Sequence, residues 1–172
     1  MAKVSSQKAN KEYKCSKCGA VINKGDNYYK IIARFSSPKI RCSNCKPERS
    51  ELTTSDYLSW LWDLQDHLEE RYDFREEGAK DELYSEIEEM QSDLQDRFDN
   101  IPEQLQYADA GQTLQDRIDS LDSAMSDLDS LDYPCREDYE DEDLTDEEID
   151  EEYENALEEY ETEIAEIVGG IE

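Results

Sequence analysis

The sequence predicts a mainly α protein with a small β module at its N-terminus. Three observations carry that expectation: a charge boundary near residue 50, four cysteines in two close pairs, and heptad-like apolar stripes beyond them. The chain has 172 residues, with 18 Lys+Arg against 47 Asp+Glu and a net charge of −29. Residues 1–50 hold 12 Lys/Arg and 3 Asp/Glu, whereas residues 51–172 hold 6 and 44. Nine of the ten lysines lie in the first 50 residues. Salt adaptation would spread acidity along the whole chain, so two modules of opposite charge are the better reading. No apolar run approaches the roughly 18 residues of a membrane span. The polar start MAKVSSQKAN offers no secretory core, so a cytoplasmic location is expected.

The charge and composition divide the chain into a flexible basic arm (1–11), a four-cysteine zinc-binding module (12–50), an acidic helical bundle (51–132), and an acidic linker with a C-terminal helix (133–172). Cys15, Cys18, Cys42 and Cys45 form two Cys-x2-Cys pairs with 23 residues between them. Two residues between ligands let both sulfurs of one turn reach one ion, and two such turns complete a tetrahedral four-thiolate site. A structural Zn2+ is the expected occupant, with an iron–sulfur cluster the alternative for the same ligand set. Gly19 directly after Cys18 is free to take positive φ and turn backbone N–H groups toward sulfur.

Between the pairs, Asn23-Lys24-Gly25-Asp26 reads as a turn, and 27–35 (NYYKIIARF) reads as a strand rich in aromatic and β-branched residues. Ser36-Ser37-Pro38-Lys39 is a second turn, and Ile40-Arg41 a short return strand. The pattern fits a zinc ribbon, or a treble clef if the second pair opens a helix. So small a core needs its metal, which supplies about 10–16 kcal/mol in small fingers.

Basic side chains and aromatics interleave along this module. Alternation groups Tyr28, Lys30, Ile32 and Arg34 on one face and Tyr29, Ile31, Ala33 and Phe35 on the core side. Tyr28, Lys30, Arg34, Lys39 and Arg41 are the expected binding residues, for nucleic acid or for an acidic protein surface.

The helices follow. Thr54-Ser55-Asp56 is an N-cap cluster for a helix over about 55–77, with Tyr57, Leu61, Leu64 and Leu68 on one stripe. A second helix over about 80–99 carries Leu83, Ile87, Met90, Leu94 and Phe98, and Ile101-Pro102 ends it. A third, over about 112–131, carries Leu114, Ile118, Leu121, Met125 and Leu128 at coiled-coil spacing. Leu94-Gln95-Asp96-Arg97-Phe98-Asp99 recurs as Leu114-Gln115-Asp116-Arg117-Ile118-Asp119, which supports an antiparallel hairpin. That hairpin is also a candidate for self-association. Thr145-Asp146-Glu147-Glu148 matches a capping box for a last helix to about 168, lined by Ile149, Tyr153, Ala156, Tyr160, Ile164 and Ile167 or Val168.

Catalytic signatures are missing. Glu137–Asp143 lacks the glycine and ligand order of a calcium loop. His67 is the one histidine and sits among carboxylates, and Cys135 has no partner in sequence. The expected class is a non-enzymatic interaction protein. The alternatives are an acidic nucleic-acid mimic that occupies a basic groove of another protein, and a structural coiled-coil protein.

KCSKCGAVINKGDNYYKI followed by RCSNCKPERS resembles the short four-cysteine modules of uncharacterised proteins of tailed bacteriophages. The resemblance covers about residues 12–50. It implies a ribbon or treble-clef fold and a modulator or accessory factor acting in a host cytoplasm. The acidic helices are similar to acidic coiled-coil segments of such genomes, in a generic way.

Overall fold

The computed structural model describes residues 2–32, 37–139 and 145–172. It is mainly α with a small antiparallel sheet, and the chain forms two compact units, residues 1–66 and 67–172. The boundary lies later than the charge boundary, because the first helix folds with the cysteine module.

In the first unit, β1 (Lys3–Lys8), β4 (Asn27–Ile32) and β5 (Lys39–Cys42) make a three-stranded antiparallel sheet with β4 central. β2 (Tyr13–Lys14) and β3 (Val21–Ile22) pair as a separate two-stranded ribbon. The expected flexible arm is therefore a strand over most of its length. Its register runs from Lys3 opposite Ile32 to Lys8 opposite Asn27. KVSSQK has too little apolar alternation to announce a strand, and its partner's free edge supplies the order. The arm ends on buried Ala9, whose N–H donates to Asp26 O and whose carbonyl accepts from Gly25 N–H. Asn23 N–H donates to Asp26 Oδ2, and Gly25 has φ +98°, so the expected turn is present. Of the predicted strand 27–35, residues 33–35 lie outside the described residues, as does Ser36 of the second predicted turn.

A 3-10 turn (Arg49–Leu52) and α1 (Asp56–Asp66) complete this unit. Ser55 Oγ accepts from Leu58 N–H, the cap that the sequence announces. Tyr57, Leu61 and Leu64 are buried along the predicted stripe. The single helix expected over 55–77 is instead broken. It stops at Asp66, and α2 (Leu68–Arg71) restarts after His67, whose backbone is non-helical. No glycine or proline marks that break in the sequence.

In the second unit, α3 (Ala79–Asp99) and α5 (Asp109–Asp129) form the predicted hairpin, joined through α4 (Glu103–Gln106). Lys80 Nζ donates to Leu131 O and Gln91 Nε2 to Asp122 Oδ1, so the helices are antiparallel. Leu83, Ile87 and Leu94 face a core shared with Ile118, Leu121, Ala124 and Leu128. The repeated Leu-Gln-Asp-Arg segment gains a structural meaning here. With residues 91 and 122 level, Leu94 lies near the level of Ile118 and Phe98 near that of Leu114, so the segment packs against its own echo.

α6 (Asp146–Gly169) begins with the predicted capping box: Thr145 Oγ1 accepts from Glu148 N–H, and the Glu148 carboxylate accepts from Thr145 N–H. Ile149, Leu157, Tyr160, Ile164 and Val168 are buried along it. Leu157 joins the stripe one residue after Ala156, where the sequence reading placed the contact. Tyr133 packs edge-on against Tyr160 at 5.7 Å, and Glu172 N–H donates to Ser120 Oγ. Among the described residues no helix is long and apolar enough to cross a membrane.

Candidate metal centre

Cys15 and Cys18 sit on the turn joining β2 to β3, whereas Cys42 ends β5 and Cys45 lies on the turn that leaves it. Each turn is closed locally. Gly19 N–H donates to Cys15 O at 3.0 Å and Cys15 N–H to Ala20 O at 2.8 Å. Cys45 N–H donates to Cys42 O at 3.1 Å. Gly19 has φ +73°, a conformation that a side chain would resist. Ser16 ties the two turns together: its N–H donates to Ile40 O, and its Oγ accepts from Ile40 N–H.

The four sulfurs lie within 4.8 Å of one another, with Cys18 and Cys42 Sγ 3.8 Å apart. Metal–sulfur bonds of about 2.3 Å give a tetrahedron with edges of about 3.8 Å, so the spacing fits one ion held by four thiolates. No disulfide links them. Cys15 is buried, Cys18 exposed, and Cys42 and Cys45 half-buried. Cys42 N–H points at Cys15 Sγ, 3.4 Å away. Burial alone would push the Cys15 thiol up. Backbone N–H groups of Cys18, Cys42 and Lys17 outweigh burial and bring it down to about 6. Hydrogen bonding to the Cys18 and Cys42 sulfurs, with burial added, favours the neutral form of Cys45 and pushes it up to about 12. Thiols packed this closely cannot all ionise together without a cation, and a metal ion held by all four would supply that charge.

The core behind the site is Ala9, Cys15, Ile22 and Tyr28, with Tyr13 and Ile40 packed against it. This corrects the reading of Tyr28 as an exposed stacking platform. It is 5% exposed, and its ring lies 5.1 Å from that of Tyr13. The predicted face containing Tyr28 turns inward at the metal end, because Cys42 stands opposite Tyr28 in the sheet. Ile31, on the other face, is buried as expected, whereas Ile32 is exposed.

The other expected binding residues fare differently. Arg41 is 8% exposed and forms a forked pair with Glu51, Nη2 to Oε1 at 2.5 Å and Nε to Oε2 at 3.3 Å. Lys39 Nζ lies 3.3 Å from the same carboxylate. Lys30 is half-buried and makes no ion pair among the described residues. Arg34 lies outside the described residues. The structure thus brings the four cysteines together and does not bring Tyr28 or Arg41 to the surface.

Sequence reasoning missed Glu48 and Glu51. Glu48 pairs with Lys17, and Glu51 accepts from Arg41, Lys39 and Glu48 N–H. Their signal was available: between the second cysteine pair and the first helix they are the only acidic residues. Arg49 is also engaged, with Asp66 at 2.9 Å and over the Trp62 ring. Cys135 is exposed and outside the sulfur cluster.

Comparison of the chain with protein-family models, with curated proteins and with solved structures finds no match.

Proposed function

We propose that the chain is a non-enzymatic interaction protein in which a structural zinc ion organises the N-terminal module and the acidic helical unit engages a basic protein surface. A zinc ribbon suits the module better than a treble clef. The second cysteine pair spans the end of β5 and the turn after it, followed by Pro47 and a 3-10 turn, and not the first turn of an α-helix. Four thiolates fill a tetrahedral shell and leave no position for a substrate, which supports a structural role for the ion.

One observation carries the functional reading: the two units treat their charge differently. In the first unit Lys17, Lys39, Arg41 and Arg49 are committed to carboxylates of the same unit. Residues 67–172 hold 40 Asp/Glu and 6 Lys/Arg, so most carboxylates there have no cation to meet. A surface of fixed carboxylates on helices is complementary to a basic surface, including one that ordinarily holds nucleic-acid phosphates. The likeness of the cysteine module to those of tailed bacteriophages implies a host protein as that partner.

A second reading has its own support. Lys3, Lys8, Lys14, Lys24, Lys30 and Lys46 make no ion pair among the described residues. Lys3 and Lys30 share one sheet face, opposite Ile32 and Ser5. Such lysines would contact phosphates, with the acidic unit as a competitor for them.

Fluorescent DNA, alone and held by each of a panel of purified nucleic-acid-binding proteins, separates the two. The first reading predicts that the full chain leaves free DNA unbound and displaces DNA from at least one protein, well ahead of polyglutamate at equal carboxylate concentration. Direct DNA binding that is lost in the Lys3→Glu, Lys30→Glu double variant would establish the second instead.

A further inference from the structure

The connection between α3 and α5 is built, not slack. Gln106 Nε2 donates to Phe98 O and Ile101 O, which closes the end of α3. Gln112 Nε2 donates to Tyr107 O, and Leu105 N–H to Pro102 O at 2.7 Å. Gly111 is buried against this turn. A Cβ there would stand 2.2 Å from Gln106 O, so the first turn of α5 rests directly on the α4 backbone. A connection fixed in this way nevertheless leaves two of its three large apolar side chains outside, with Ile101 half-buried. Leu105 is 52% exposed and Tyr107 77%, and in the second unit they are the exposed large hydrophobic residues among those described.

The charge around them narrows what covers them. Between Phe98 and Asp116 stand Asp99, Glu103, Asp109 and Asp116, with no lysine or arginine. Like charge disfavours a second copy of this tip and an anionic lipid surface alike. A cationic segment with an apolar stripe fits both features. Tyrosine is a frequent anchor of such contacts, because it brings a large area at small entropic cost, and rim charges steer the approach.

We propose that the α3–α5 tip is a docking anchor, with Leu105 and Tyr107 seated on the apolar stripe of a cationic, amphipathic segment of a partner protein, and Asp99, Glu103 and Asp109 facing its basic side chains. The inference rests on the reading that the acidic unit meets a basic partner, and it adds where and through which residues.

The test is a titration of the isotope-labelled full chain with a synthetic amphipathic helix of lysine and leucine. A control peptide has the same lysines with glutamine in place of leucine. The expected result is saturable amide shifts confined to residues 98–116 that need the leucines. Leu105→Ser with Tyr107→Ser should weaken binding about tenfold or more, the scale of a lost interface anchor. Both residues are exposed, so the variant's helical signal and melting temperature should match the parent. Shifts spread along the helices, equal binding of the control peptide, or unchanged affinity of the double variant would overturn the anchor. Displacement of DNA without tip shifts would drop the anchor and keep the broader reading, whereas tip shifts without any displacement would do the reverse.

Discussion

Arg41 holds Glu51 in a forked ion pair inside the first unit. A cation in a basic, four-cysteine module looks like a phosphate ligand. Here its guanidinium and the carboxylate are both nearly buried, with side chains 9% and 5% exposed, and the fork satisfies both. Removing one partner strands a buried charge, so Arg41→Met should destabilise the first unit by about 3 kcal/mol, read by denaturant unfolding. Burial raises the Glu51 carboxyl, but hydrogen bonds from Arg41 and from Glu48 N–H hold it below its ordinary 4.5. A depressed carboxylate gives its full stabilisation above its unfolded value, and the contribution is lost as pH falls through the folded one. The first unit should therefore weaken below about pH 4.5, and Glu51→Gln should flatten that part of the profile. At the cysteines, Cys18→Ser should lose the metal and the amide dispersion of residues 12–46. A variant that keeps both would remove the ion from the centre of the module's stability. The cysteines were legible because ligand spacing is a local property of the chain. The fate of Tyr28 and Arg41 was not, because it depends on which strand and which carboxylate the fold brings against them.

Local signals served well wherever a single element's own chemistry decides its form. The Thr145 capping box and the α3–α5 stripes appear as the sequence predicts, with bounds shifted by a few residues. Two elements were misread for opposite reasons. β1 carries almost no apolar alternation and exists because the edge of β4 is open to it. The helix expected across residue 67 had unbroken periodicity, yet it stops at Asp66, and nothing in the local residue types forbids continuation. Thr145→Ala should cost about 1 kcal/mol, read as lost stability of the helical unit. Gly111→Ala acts at another scale. A Cβ 2.2 Å from Gln106 O forces the tip apart. A loss of about 1–3 kcal/mol, with amide shifts over residues 101–112, is expected from such overpacking.

At the scale of the whole molecule, the two units should respond to different agents. The proposed ion holds four thiolates together, so chelation should unfold the first unit and leave most of the helical signal in place. Added salt screens repulsion among the carboxylates of residues 67–172 and should raise the helical melting temperature. A circular-dichroism melt with and without chelator, at two salt concentrations, checks both effects. The division of the chain was visible in its charge, but the boundary was not. α1 is acidic in sequence and belongs with the basic module in space, because Tyr57, Leu61 and Leu64 are buried in that unit. The measurement that bears most directly on function is anisotropy of labelled DNA with the full chain, at low and at physiological salt, alone and then in the presence of a basic nucleic-acid-binding protein. Unbound DNA at both salt concentrations, together with release of DNA from the protein, is the result expected of an acidic unit that takes the place of phosphates. Tight, salt-sensitive binding of DNA by the chain itself, with no release from any protein, would contradict it.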